Sequence, residues 1–370
     1  MLISCDKDLK NTMPKKETVC VAMSGGVDSA VVAQLLHERG YQVIGVTMQI
    51  WQESQKDPRH AGCCSLGAVE DARRTAKVLG IPHYVINFKD AFRETVIEEF
   101  IEEYANGRTP NPCVTCNRKV KFEALLDKAA ELGCSKLATG HYARIRYDRA
   151  RGKYRLLRSK GGEKDQSYVL YAMSQDQLSR VWFPLGELGD KAETRRLARV
   201  KGLPVADKPD SQEICFVSDA GGYREFITKA RPELLRKGEL VDTAGRVVGE
   251  HEGVAGFTVG QRRGIGVAAG RPLYVIGLEP KSNRVIVGGD DELLQREVRL
   301  TDVSWSAFGP EDMPMRVMAK IRYNMDPRPA RLVASPEPML VFDEPVRAVT
   351  PGQIAVAYRG ETVVAGGRIR

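Results

Sequence analysis

Residues Val21 to Gly40, VAMSGGVDSAVVAQLLHERG, set two adjacent glycines, an aspartate and two serines between a short apolar run and a helical pattern. A glycine-rich turn from a strand into a helix points unpaired backbone N–H groups at an anion, and phosphate is the natural candidate. It is not a Walker loop: Gly26 is followed by Val27, Asp28 and Ser29, where that loop needs Lys and then Ser or Thr. It also lacks the G-x-G-x-x-G spacing of a dinucleotide site. What remains is a phosphate nest with hydroxyls from Ser24 and Ser29 and no lysine, suited to a pyrophosphate released whole. The plain alternative is an ordinary strand-to-helix turn capped by Ser24 or Asp28.

Two further stretches carry thiols. The loop NGRTPNPCVTCNRKVKF, Asn106 to Phe122, combines two prolines, a C-x-x-C and the bases Arg108, Arg118, Lys119 and Lys121. A thiol among cations at a helix start has a lowered pKa and is a better nucleophile or persulfide carrier. Cys116 fits, preceding a helix expected to begin near Val120. Zinc would need Cys63, Cys64, Cys113 and Cys116 together, and adjacent Cys63 and Cys64 are poorly placed for one tetrahedral ion. In DKPDSQEICFV, Asp207 to Val217, Cys215 follows an acid-rich loop and opens a short apolar run, a pattern that on its own reads as a packed strand cysteine.

These residues need a frame to bring them together. From Thr18 to about Thr139 apolar strands alternate with amphipathic helices, which predicts a doubly wound parallel sheet with helices on both faces. Ligands of such sheets bind beyond the carboxyl ends of the strands, so the loops Ser24 to Ser29, Gln49 to Leu66 and Gly140 to Arg144 should converge. A hairpin, ARIRYDRARGKYRLLRS, follows, and from about Gly238 β-branched runs predict a small β-rich domain and then a β-barrel. The expected division is an extension over 1–17, a catalytic domain over 18–215, a central domain over 216–290 and a barrel over 291–370.

Among 370 residues, 56 Lys and Arg against 48 Asp and Glu give a formal charge of +8, which favours a polyanionic partner such as nucleic acid. No apolar run is long enough to span a bilayer, and the N-terminal stretch has no signal-peptide core, so the expectation is a cytoplasmic protein without a membrane partner. Its eight cysteines are then reduced thiols, and clusters among them point to redox or metal chemistry.

AMSGGVDS resembles the PP-loop of the N-type ATP pyrophosphatases, in which ATP adenylates a carbonyl oxygen and pyrophosphate leaves. With TPNPCVTCNRKVKF, ATGHYAR, KDQSYVL, KPDSQEICFV and GQRRGIGV in order, and weaker KIRYN and TPGQIAVAY in the barrel, the chain is similar to the bacterial-type tRNA-specific 2-thiouridylases. The resemblance implies a PP-loop fold and an enzyme that uses ATP and Mg2+ to place sulfur on the wobble uridine of tRNA. It implies that Ala22, Met23, Ser24, Gly25, Gly26, Val27, Asp28 and Ser29 bind ATP, with Met48 and Gly140 near the adenosine. Asp28 is further a candidate metal-facing carboxylate. Cys116 corresponds to the nucleophile and Cys215 to the persulfide carrier, the two forming a disulfide in turnover. Asn111, Pro112 and Cys113 match the stretch touching the target base, while Lys164, Asp165, Gln166, His141, Arg322, Tyr323 and Gln353 match tRNA contacts. Some relatives carry Asp where Cys113 stands, so that thiol is not required of every member. A sulfur donor is implied, either a cysteine desulfurase or a sulfur-relay protein. Three alternatives stay open: an iron–sulfur cluster on Cys113, Cys116 and Cys215, a nitrogen-transferring PP-loop ligase, and a non-catalytic RNA-binding zinc protein.

Overall fold

The computed structural model describes residues 17–50, 66–162, 164–210, 214–217, 221–267 and 270–370. The expectations for Cys63, Cys64 and most of the Gln49 to Leu66 loop lie outside these residues. Packing divides the chain into two compact units, residues 1–93 with 116–219, and residues 94–115 with 220–370.

The first unit is built on β1 (Thr18–Ala22), β2 (Gln42–Gln49), β3 (His83–Asn87) and β4 (Lys136–Ala138), with a hairpin of β5 (Ala143–Asp148) and β6 (Lys153–Arg158), and a short β7 (Val181–Trp182). The sheet order is β3-β2-β1-β4-β7 and every pairing is parallel. The chain reverses its direction of travel across the sheet between β1 and β4, which makes their carboxyl ends the crevice of the fold. Val19, Cys20 and Val21 are buried, as a central strand covered on both faces requires.

Helix Val27–Glu38 buries Val27, Ala30, Val31, Val32, Ala33 and Leu36, so it lies in the core with almost no polar face. Helix Leu66–Leu79 is instead a surface helix, burying Ala68, Val69, Ala72, Thr75 and Ala76 at helical spacing. The chain after β3 forms a helical run in three parts, Lys89–Phe92, a π-helical turn Arg93–Ile97 and Glu98–Ala105. The helix expected from Val120 begins earlier, at Pro112–Thr115, and passes through a π-helical stretch Cys116–Ala124 into Leu125–Glu131. Its first residue is a proline, which loses no bond at that position because the first-turn N–H is unpaired in any helix.

In the second unit β8 (Gly238–Asp242), β9 (Val247–His251), β10 (Tyr274–Glu279) and β11 (Arg284–Gly288) form a sheet in the order β10-β11-β8-β9 over Leu240, Val254, Phe257, Val275, Val285 and Val287. The barrel follows: β12 (Leu294–Trp305), β13 (Met315–Lys320), β14 (Arg328–Val333), β15 (Met339–Arg347), β16 (Ile354–Arg359) and β17 (Thr362–Ile369). These run β12-β15-β14-β13-β16-β17, and pairing of β12 with β17 closes the ring. Closure leaves no sheet edge, and alternation along β14 puts Ala330 and Leu332 inside and Pro329 and Arg331 outside.

Candidate active site

The phosphate loop sits where the topology puts a ligand. Gly25 has φ +70°, and a Cβ there would lie 2.1 Å from the Ala68 carbonyl oxygen, so only glycine fits both the turn and the neighbouring helix. Gly26 precedes helix Val27–Glu38 with no side-chain cap, which leaves the donors of the first turn to a ligand. Gly140, just past β4, would drive a Cβ to 2.8 Å from the Asp28 Cβ and 3.0 Å from the Ser29 nitrogen. The turns after β1 and β4 therefore meet, as expected from the sequence.

The side chains of this loop divide into two kinds. Met23, Val27 and Ser29 are buried, so they shape the loop from beneath, whereas Ser24 is exposed. Ser29 Oγ accepts from the Ser24 N–H at 3.1 Å and donates to the Gly26 carbonyl at 3.1 Å. That hydroxyl knits the loop, and Ser24 supplies the outward-facing one. Ala22 pairs with Val46 in the sheet, Thr47 donates to the Met23 carbonyl at 2.7 Å, and half-buried Met48 follows it, next to last in β2.

Asp28 is not a bare carboxylate. Lys191 Nζ lies 2.6 Å from each of its oxygens, and the Tyr142 hydroxyl donates to Oδ1 at 2.7 Å. Lys191 also reaches Asp210 at 3.0 Å, and Asp210 takes Arg195 at 3.1 Å and Lys164 at 3.4 Å. Burial opposes ionisation of Asp210, but Lys191 and Lys164 overcome it and hold the carboxyl below its ordinary value. Burial first, and the Asp28 carboxylate second, push the Tyr142 phenol up, so it stays a donor. A second lysine, Lys208, donates to the Gly25 carbonyl at 3.0 Å and pairs with Asp71 at 2.7 Å. The loop that lacks a lysine in sequence thus receives two from far along the chain. Lys191 had one sequence signal: it opens helix Lys191–Val200, where a cation is disfavoured by the helix dipole.

Cys116 is buried and begins the π-helical stretch. After it, Asn117 donates through Nδ2 to the Val169 carbonyl at 3.1 Å, while Asn117 Oδ1 and Arg118 Nε are buried without a hydrogen-bond partner. Unpaired buried polar atoms are costly, at roughly 1–3 kcal/mol each. Cys215 is half-buried, and its neighbour Phe216 is buried edge-on against Phe92 with ring centroids 5.7 Å apart. The Cys116–Ala124 stretch packs on the same short helix, Lys89–Phe92. One helix therefore borders both expected catalytic segments. Among the described residues no group of three or more His, Cys, Asp or Glu forms a metal site.

Several residues matched to tRNA contacts hold the protein together. Asp165 accepts from Arg158 at 3.1 Å, from the N–H groups of Ser159 and Ser167, and from the Ser167 hydroxyl at 2.9 Å. Gln166 exchanges two 2.9 Å bonds with the Tyr142 backbone, through its side-chain oxygen and its own N–H. His141 packs between Phe122 and Phe183, and this burial, with Lys121 nearby, holds its imidazole well below the ordinary value and neutral. Lys164 is about half exposed.

In the second unit, Gln353 donates to the carbonyls of Thr109 at 2.9 Å and Pro110 at 3.4 Å, just before Asn111, Pro112 and Cys113. The Asn111 carbonyl accepts from Val114, Pro112 is buried and Cys113 is exposed. Arg322 donates to the Arg347 carbonyl at 2.6 Å, and exposed Tyr323 lies under the Lys320 ammonium.

Comparison with known proteins supplies the family. Residues 17–219 match the model described as tRNA methyl transferase HUP domain, 224–289 the tRNA methyl transferase PRC-barrel domain, and 295–369 the aminomethyltransferase beta-barrel domain. The tRNA-specific 2-thiouridylase of Heliobacterium modesticaldum is 52% identical over 96% of this chain and 92% of that protein. That of Carboxydothermus hydrogenoformans is 48% identical over 96% and 98%. Among solved structures, NMN synthetase from Francisella tularensis aligns with a TM-score of 0.33 at 18% identity, over 59% of this chain and 78% of that one, too distant to carry weight. Family models that follow one another from residue 17 to residue 369, and relatives this similar over nearly the whole chain, show that the chain belongs to the tRNA-specific 2-thiouridylase family.

Proposed function

We propose that this protein is a tRNA uridine 2-sulfurtransferase that activates the wobble uridine with ATP and replaces its 2-oxygen by sulfur carried on Cys215. The observation that carries the reading is the glycine-lined nest between β1 and β4, a site for phosphate, in the same compact unit as Cys116 and Cys215.

The 2-carbonyl of uracil is part of a conjugated urea, and its oxygen is a poor leaving group. Attack of that oxygen on the α-phosphorus of ATP turns it into an adenylate and expels pyrophosphate. The N–H groups at the start of helix Val27–Glu38 and the Ser24 hydroxyl stabilise the departing charge, and Lys191 adds a cation at the same mouth. Asp28, whose oxygens face Lys191, would be the carboxylate nearest a Mg2+ carried in with the phosphates, and that ion would supply further charge neutralisation.

The terminal sulfur of a Cys215 persulfide then attacks C2 and AMP leaves. The Cys116 thiolate attacks Cys215 Sγ, breaks the sulfur–sulfur bond and releases the 2-thiolate of the base. A Cys116–Cys215 disulfide remains, and an external dithiol reduces it by two electrons. The target base leaves its stack to reach the pocket. Lys164, Arg322 and Tyr323 contribute charge and a stacking face to tRNA binding, whereas Asp165, Gln166 and Gln353 act by holding the loops that do so. The persulfide comes from a desulfurase or a relay protein. The 18–215, 216–290 and 291–370 division serves activation, linkage and tRNA grip respectively.

The test is electrophoresis of a tRNA substrate with a wobble uridine in a mercury-containing gel after incubation with the protein, ATP and a persulfide donor. Retardation that requires both ATP and donor is expected. ATP-independent retardation, or none, contradicts the reading.

A further inference from the structure

The lysine that reaches the phosphate loop from the cysteine segment has a geometry beyond that of an ion pair. Lys208 Nζ donates to the Gly25 carbonyl at 3.0 Å. That oxygen and the Gly26 N–H belong to one peptide plane, so whatever holds the oxygen also aims the N–H, the first donor of the nest. The two bonds of such a peptide polarise one another: an anion on the Gly26 N–H makes the Gly25 oxygen a stronger acceptor, and the ammonium strengthens the N–H in return. The ammonium is fixed on its other side by Asp71 at 2.7 Å, on helix Leu66–Leu79, whose Ala68 carbonyl already abuts Gly25.

The segment leaving Lys208 is fastened again two residues on, where Asp210 meets Lys191 at 3.0 Å and Arg195 at 3.1 Å. Farther along, Phe216 is locked against Phe92. Cys215 therefore belongs to a stretch tied at one end to the peptide that faces phosphate and at the other to the core. We propose that Lys208 is a positioning residue that couples occupation of the phosphate loop to the placement of Cys215. The inference rests on reading Ser24 to Ser29 as the nucleotide site and Cys215 as the sulfur carrier. By linkage the effect runs both ways: nucleotide changes the accessibility of Cys215, and fixing the Cys215 segment changes nucleotide affinity by the same factor.

The experiment follows alkylation of Cys215 by iodoacetamide in the full-length protein, read on its peptide by mass spectrometry, with and without saturating α,β-methylene ATP. In the wild type the analogue is expected to change the rate by at least about fivefold. Lys208→Met should still bind the analogue while its Cys215 rate responds by less than about twofold. Lys208→Arg, which keeps donors for both oxygens, should restore most of the response. Asp71→Asn leaves the lysine present but unsteadied, and a response between these limits is expected; it also serves if Lys208→Met does not fold. A wild-type rate indifferent to nucleotide, a Lys208→Met response equal to wild type, or loss of analogue binding in Lys208→Met would each overturn the proposal, the last by making Lys208 a phosphate ligand. A wild type that thiolates tRNA yet shows no coupling removes only this inference, whereas one that makes no 2-thiouridine removes the function beneath it.

Discussion

Cys20 and Cys134 lie in the same compact unit as Cys116 and Cys215, and the two pairs are built in opposite ways. Cys20 is fully enclosed in β1 and Cys134 lies just before β4, where its N–H donates to the Ala129 carbonyl at 2.9 Å. The hydrogen bond between these two thiols, with burial behind it, pushes Cys20 far up, so that it stays protonated. Cys116 opens a π-helical stretch followed by two unpaired buried polar atoms, and Cys215 stands half-buried on a turn beside the anchored Phe216. Under the proposed function, local surroundings separate structural thiols from reactive ones where the residue type cannot. The first pair bonds to itself, and Cys116 is followed by two buried polar atoms without a hydrogen-bond partner.

The largest effect that would sharpen this contrast lies at the phosphate loop. Asp28→Ala removes the partner of Lys191 and Tyr142, and formation of the adenylate should fall by about a hundredfold or more, as losses of charge-stabilising groups do. Filter binding of tRNA should stay nearly unchanged, because these contacts are internal to the nest; equal loss of both would break the separation of nucleotide and RNA roles. The next effect is on stability. Cys20→Ser places a hydroxyl in a fully buried position, and thermal or denaturant unfolding should register about 1–3 kcal/mol of destabilisation with the turnover rate of surviving enzyme unchanged. A loss of turnover there would move Cys20 into the reactive class. The smallest effect is electrostatic: tRNA affinity should fall steeply with salt, and Lys164→Met should reduce the logarithmic slope by about one unit. An unchanged slope would mean that Lys164 serves only its ion pair with Asp210.

The same contrast explains what could be read before the fold was known. Gly25 and Gly140 were legible because a left-handed turn at the first and close backbone approaches at both leave few other residues possible. The parallel order of strands followed from apolar runs alternating with helices. Lys191 and Lys208 were not assigned, since their partners Asp28 and Gly25 lie 163 and 183 residues away and nothing local fixes such pairs. Gln353 and Asp165 match tRNA contacts by resemblance, yet their side chains bind backbone of their own units, a choice made by tertiary packing. The start of the helix at Pro112 was signalled by proline at a first helical position, but the cysteines and basic residues after it drew the expected start to Val120.

The most direct measurement is single-turnover tRNA thiolation by Cys215→Ser and Cys116→Ser, each with a persulfide-charged donor and with free sulfide. Cys215→Ser should lose persulfide-dependent 2-thiouridine by about a thousandfold, as removal of a covalent catalyst does, yet keep part of its activity with sulfide, which needs no carrier. Cys116→Ser should lose persulfide activity and accumulate a disulfide between Cys215 and the 2-sulfur of the tRNA base, visible by mass spectrometry. Full persulfide-dependent turnover by Cys215→Ser would contradict the account and return Cys215 to the same class as Cys20.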